Sequence, residues 1–157
     1  MGLNRLRIAL LERGLIALDK ITRDRGAQMP VHLKTGHSGE DTAFFYLRRK
    51  GYIVVARRWS AGNIPGDIDL IAWDGPLLCF IEVKTRTARD MSPAESAVDR
   101  HKQHTLRRLA RAYVRQIPEP EPPPVRFDIV SVYALADSVP EVVHFRNAFE
   151  WADHREP

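Results

Sequence analysis

Cysteine is all but missing from this chain. Cys79 stands alone in 157 residues, which excludes an internal disulfide framework and a zinc site built on cysteine pairs. Set inside an apolar run, it reads as a small core residue of a protein kept in a reducing compartment, the cytoplasm. No spaced histidine motif offers zinc an alternative. Long hydrophobic runs are also lacking, so no segment is long enough to span a bilayer and stable membrane insertion is not expected. There is no internal repeat. Nor does one sign of charge dominate: 24 Lys and Arg against 20 Asp and Glu leave a net charge of +4. A pI near 9.5 favours an anionic partner such as nucleic acid, but only if the basic groups cluster.

What is present describes a globular domain, with 44% hydrophobic and 28% charged residues. Its least ordinary feature is a pair of apolar strands that carry acids. One runs from Asp67 to Trp73 and the other from Leu77 to Lys84, with Asp74-Gly75-Pro76 between them. This reads as an antiparallel hairpin. A turn centred between Gly75 and Pro76 sets Asp69 opposite Glu82 and Asp67 opposite Lys84. Alternation then places all four side chains on one face. Facing carboxylates among Ile68, Leu70, Ile71, Phe80, Ile81 and Val83 repel each other and resist desolvation. A divalent cation removes that conflict. Asp69, Glu82 and the backbone carbonyl of Val83 offer oxygen ligands that suit Mg2+ or Mn2+. Lys84 is placed to polarise a water and to stabilise charge building on a phosphate.

The surrounding elements read as follows. Residues 1–28 form a basic, leucine-rich helical extension, either packed on the domain or serving as a docking element for a membrane surface or partner protein. Residues 29–157 form the domain proper, with Met29 as an alternative start. Ser38 and Asp41 have capping-box spacing, so a helix begins there, with Glu40 in its first turn and Gly51 at its end. In that place Glu40 either completes the metal site or simply complements the helix dipole. Asp67 likewise has two readings, a ligand or a salt bridge to Lys84. Tyr52–Ala56 is a strand, Arg57–Gly66 a loop, and Ser92-Pro93-Ala94-Glu95 a further helix start. A longer helix covers Arg100–Gln116, strands cover Val125–Tyr133 and Glu141–Phe145, and a short helix or tail spans Asn147–Trp151. The order α-β-β-β-α-β-β gives an α/β domain with a mixed sheet.

Basic groups bracket the acidic hairpin. Arg57 and Arg58 precede it, Arg86 follows Lys84, and Arg107, Arg108 and Arg111 stripe the later helix with Arg100 and Lys102. That arrangement suits a phosphate backbone, or else a solvated helix face with scattered arginines. Trp59 either stacks on an unpaired base or packs within the domain.

In order, Glu40 in a helix, the Gly66-Asp67-Ile68-Asp69 run and Glu82-Val83-Lys84 resemble the motif series of PD-(D/E)xK phosphodiesterases. From Gly39 to Phe149 the chain is similar, more narrowly, to the YraN-like family of small bacterial proteins. That similarity rests on Gly39-Glu40, Gly51-Tyr52, Arg57-Arg58-Trp59, Gly66–Ile71, Phe80–Arg86, Lys102 and Arg126-Phe127-Asp128. The resemblance implies a restriction-endonuclease-like mixed β-sheet core flanked by helices. It makes Asp69 and Glu82 metal ligands, Lys84 the catalytic lysine, Glu40 the assisting acid and Lys102 a basic group near the substrate phosphate. Asp67, a glutamate in most of the family, takes a supporting role, and Arg58 replaces a usual asparagine. The expected activity is Mg2+- or Mn2+-dependent cleavage of nucleic acid, DNA before RNA, with branched DNA among the substrates. A homodimer is expected by analogy with junction-cutting enzymes. The alternative is a non-catalytic nucleic-acid-binding or assembly module that keeps a nuclease-like fold.

Overall fold

The computed structural model describes residues 31–87, 98–118, 120–134 and 139–151, and of 31–38 the backbone alone. The basic extension over 1–28 and the Ser92–Glu95 helix signature lie outside the described residues.

Helix α1 (Val31–Arg49) ends in a Schellman motif. Gly51 takes φ +89, its N–H reaches the Arg48 carbonyl at 3.0 Å, and the Tyr52 N–H reaches the Leu47 carbonyl at 3.0 Å. Strands β1 (Ile53–Ala61), β2 (Ile64–Asp74) and β3 (Leu77–Arg86) follow as two successive hairpins. Gly75, with φ +59, supplies the positive angle that the tight β2–β3 turn requires. Helix α2 (Arg100–Val114) starts on Asp99, whose side chain accepts from the Lys102 N–H. Strands β4 (Val125–Tyr133) and β5 (Glu141–Phe149) complete a five-stranded sheet of order β1-β2-β3-β4-β5. β3 and β4 are parallel and joined through α2, and every other neighbouring pair is antiparallel.

The sheet buries both faces, which is why its central strands are apolar almost throughout. Ala43, Phe44 and Leu47 of α1 pack with Leu70, Ala72, Cys79, Ile81, Val130 and Val132 on one side. Leu106, Leu109 and Ala110 of α2 pack with Ile71, Leu78, Phe80, Phe127 and Ile129 on the other. Full burial of each large side chain contributes roughly 1.5–3 kcal/mol. Burial lifts the Cys79 thiol pKa to about 12, which keeps it an inert core residue.

Three expectations are corrected. The first helix begins at Val31, so Ser38 to Asp41 lie in its interior and Glu40 is not in its first turn. A capping pattern is a local preference that helix-compatible residues upstream override. The stretch Arg57–Gly66 is not a loop. Gly62 and Asn63 form a two-residue turn flanked by the Ala61↔Ile64 pair, so both sides of it are strand. Lastly, β5 continues through Phe149, where a short helix or tail was expected. Asn147 absorbs a bulge there with φ +53, and its N–H donates to Asp128 Oδ1 at 3.0 Å.

Candidate active site

The β2–β3 register puts Leu70 beside Ile81 and Asp74 beside Leu77. One step further along that register, Asp69 faces Glu82, as the hairpin arithmetic expects. Backbone pairing gives way here to a side chain: the Val83 N–H donates to Asp69 Oδ2 at 2.6 Å. The N–H and C=O of one strand residue point to the same edge, so the Val83 carbonyl also faces β2. Burial and the neighbouring Glu82 charge push the Asp69 pKa up to about 7, with the more distant Glu40 adding to them. The Val83 N–H and the Lys102 charge pull it back only in part.

Glu82 is 4% exposed. Its Oε1 accepts from Lys84 Nζ at 2.8 Å, two residues along the same strand. Lys102 Nζ approaches Oε2 from α2 at 3.1 Å, yet Oε2 receives no well-directed hydrogen bond and stays buried without one. Burial works against the Lys102 ammonium, but Glu82, Asp69 and Asp67 more than offset it, and its pKa lies above the ordinary lysine value. Asp67 is partly buried and acts on both Lys102 and Arg58 through its charge. No Asp67–Lys84 salt bridge forms among the described residues, because Lys84 is taken by Glu82.

Glu40 arrives from α1. Adding a Cβ to Gly39 would bring it 1.9 Å from Thr85 Oγ1, so the missing side chain lets the helix lie close on β3 beside the acids. Glu40 accepts a two-pronged ion pair from Arg58, Nε to Oε2 at 2.7 Å and Nη2 to Oε1 at 2.9 Å. Burial lowers the Arg58 pKa, but Glu40 outweighs it with help from Asp67 and Asp69, leaving the value raised. Since Arg57 pairs with Leu70 and Trp59 with Ile68, Arg58 lies opposite Asp69. Arg58, Asp69 and Glu82 thus form one row across β1, β2 and β3.

Strict alternation breaks at this row. Leu70 packs in the α1 core, whereas Ile68, two residues away, packs in the α2 core. Side chains two apart share a face only in a regular strand. The left-handed backbone of Arg58, φ +47, marks where the strand pair changes face.

The basic residues divide. Arg57 pairs with Asp41 and lies over the Phe44 ring at 5.1 Å. Arg86 is partly exposed at the end of β3, and Arg108 is exposed on α2. Arg107 and Arg111 do not belong to a solvated stripe. Arg107 is 5% exposed, lies 5.2 Å over Phe149 and donates to the Glu150 carbonyl at 2.8 Å. Arg111 lies 5.3 Å over Trp151 and donates to its carbonyl at 3.3 Å. Both hold the chain after β5 against α2, contacts about forty residues away that helical periodicity does not reveal. Trp59 packs edge-on against Tyr113 at 5.2 Å, which is the packing reading.

A divalent cation fits the centre on two counts. The Asp69–Glu82 pair is under mutual repulsion that positive charge relieves, and Glu82 Oε2 is buried with only the poorly directed Lys102 ammonium against it. Among the described residues no group of three or more His, Cys, Asp or Glu side chains is gathered to hold a metal alone. A cation held there would need a further protein oxygen, for which the Val83 carbonyl, on the strand edge facing Asp69, is the expected candidate.

The model of the uncharacterised protein family UPF0102 matches residues 39–132, a span holding every acid and lysine of the site. A UPF0102 protein of Koribacter versatilis is 51% identical over 120 residues, 76% of this chain and 82% of that relative. One from Solibacter usitatus is 44% identical over 142 residues, 90% of this chain and 99% of the relative. A third, from Symbiobacterium thermophilum, is 40% identical over 116 residues, 74% of this chain and 96% of the relative. No helix among the described residues is long and apolar enough to cross a membrane.

Proposed function

The chain belongs to the uncharacterised protein family UPF0102, the YraN-like family of the sequence resemblance, and we propose that it is a metal-dependent phosphodiesterase acting on nucleic acid. The observation that carries this reading is the Asp69–Glu82 pair. Two carboxylates meet where the β2–β3 ladder ends, one with its pKa raised to about 7 and both within reach of lysine charge. A structural role does not call for so costly an arrangement. The mixed sheet, with helices on both faces, is the core the resemblance leads one to expect.

Asp69, Glu82 and the Val83 carbonyl would hold Mg2+ or Mn2+. When bound, such an ion supplies Lewis-acid charge to a phosphate oxygen and lowers the pKa of water. Lys84, fixed by Glu82, holds a water in place and offers its ammonium to the charge that builds on the phosphate. Lys102 adds positive charge on the α2 side and anchors Glu82. Arg108, exposed on α2, and the partly exposed Arg86 would meet a phosphate backbone. DNA, including branched DNA, is the preferred substrate class, and a homodimer is the proposed assembly.

The non-catalytic alternative draws on one observation: both lysines already neutralise Glu82, so the centre is stable without cutting anything. A cleavage panel separates the readings. Purified chain is incubated with Mg2+ or Mn2+ and single strands, duplex, flaps or four-way junctions, alongside Glu82→Ala. Cation-dependent cleavage lost in Glu82→Ala supports the enzyme. Binding without cleavage on every substrate would favour the module.

A further inference from the structure

Arg58 is the basic residue least like the others. It is a non-glycine residue in left-handed backbone, and it sits where the paired strands change face. On the residue before it, Arg57 reaches α1 through Asp41 and Phe44, while Trp59, after it, packs against Tyr113 of α2. Regular alternation would set Arg58 over Asp69 on the α2 side. The positive φ instead carries its guanidinium to α1, where it gives two nitrogens to the two oxygens of Glu40. A planar fork on a carboxylate is a strong and directional pair, and a guanidinium cannot be discharged near neutral pH. From the strand side, Asp67 and Asp69 act on the same guanidinium through their charge.

We propose that Arg58 is the resident cation of this centre: it claims Glu40, withdraws that carboxylate from metal binding, and leaves a divalent ion to Asp69, Glu82 and the Val83 carbonyl. This rests on the metal-site reading above and alters one part of it, since Glu40 serves as the counter-charge of Arg58 and not as an assisting ligand. A fixed positive charge opposite Asp69 also opposes any cation that Asp69 binds, so the affinity for metal is set below what the acids alone would give.

The test is a Mn2+ titration of the full chain followed by electron paramagnetic resonance. The wild type, Arg58→Asn, Arg58→Gly, Glu40→Gln and the Arg58→Asn/Glu40→Gln double variant are compared. Asn and Gly both tolerate the left-handed backbone. The wild type binds one Mn2+. The Arg58 variants bind it about tenfold more tightly, a gain that the double variant largely loses because the released Glu40 is gone, and Glu40→Gln alone shows no gain. Unchanged or weaker binding by folded Arg58 variants overturns the proposal and leaves the metal site standing. No Mn2+ binding by the wild type overturns both. A second measurement needs no variant: the Arg58 Nε–H resonance of the wild type stays hydrogen-bonded when Mg2+ saturates the chain. Its loss on adding Mg2+ means that Glu40 has moved to the ion, and contradicts the proposal.

Discussion

Two carboxylates, one buried on β4 and one half-buried on β2, are treated in opposite ways by the same sheet. Asp128 is fully satisfied. It accepts from Arg126 Nε at 2.8 Å and Nη2 at 3.0 Å, from His144 Nε2 at 2.9 Å and from the Asn147 N–H at 3.0 Å. Arg126 is tied in turn to Asp74 at 2.9 Å and to the Tyr52 hydroxyl at 2.8 Å. Burial alone would raise the Asp128 pKa, yet His144, Arg126 and the Asn147 N–H bring it below the ordinary value. Asp69 receives one backbone N–H and faces another acid, and its pKa climbs to about 7. Identical chemistry is therefore spent on structure in one place and held under repulsion in the other. Family membership covers both residues alike; only the local partners distinguish them.

The largest expected effect falls on the satisfied centre. Asp128→Ala leaves Arg126 only Asp74 as a counter-charge and takes the carboxylate from His144 and the Asn147 N–H, a loss of about 3 kcal/mol in urea unfolding. A loss below 1 kcal/mol would mean that the network is ornamental and the contrast false. Next comes Gly39→Ala, which forces α1 away from Thr85 and costs roughly 1–3 kcal/mol. It should disturb the Glu40–Arg58 pair while the Asp128 network keeps its chemical shifts, and Thr85→Ala should restore part of the loss. Asp69→Asn goes the other way. Replacing a repelled carboxylate by an amide that still accepts the Val83 N–H should stabilise the metal-free chain by about 1 kcal/mol, with the gain read as a melting temperature a few degrees higher. A clear loss of stability in Asp69→Asn would break the comparison at its centre.

The pH dependence of stability differs in sign between the two acids. Asp69 binds its proton more tightly folded than unfolded, so its contribution to stability is greatest below the ordinary value of 3.8 and falls as pH rises to about 7. Asp128 is the reverse: its contribution is complete above 3.8 and is lost as pH drops through its lowered folded value. Subtracting the metal-free wild-type unfolding free energy from that of Asp69→Asn should therefore leave a difference that grows from about pH 4 to about pH 7 and is flat above. A difference that shrinks over that range would contradict the assignment.

Much of this contrast was legible in the sequence. The Asp74-Gly75-Pro76 turn fixes the register that sets Asp69 against Glu82, and the bounds of β4 follow from a run rich in β-branched and aromatic residues after Pro124. Gly51 was readable as a helix stop because its role is local. What escaped depends on contacts between distant segments. Gly62, Asn63, Pro65 and Gly66 together look like a loop, although only Gly62 and Asn63 form the turn. Gly39 passes for part of a cap until Thr85 is brought over it. Arg58 pairs with Glu40 only because a left-handed residue breaks the strand alternation, and no periodicity foretells that. Arg126-Phe127-Asp128 belonged to the family pattern without an evident task, which His144 and Asn147 supply from β5.

The most direct measurement of the central claim is thermal unfolding of the wild type and Asp69→Asn with and without Mn2+. A ligand that binds only the folded chain raises its stability, by about 2.7 kcal/mol at one hundred times its dissociation constant. The account predicts that Mn2+ raises the wild-type melting temperature by several degrees and leaves Asp69→Asn where it was. An equal shift in both proteins, or none in the wild type, would show that the Asp69–Glu82 pair is not a cation site.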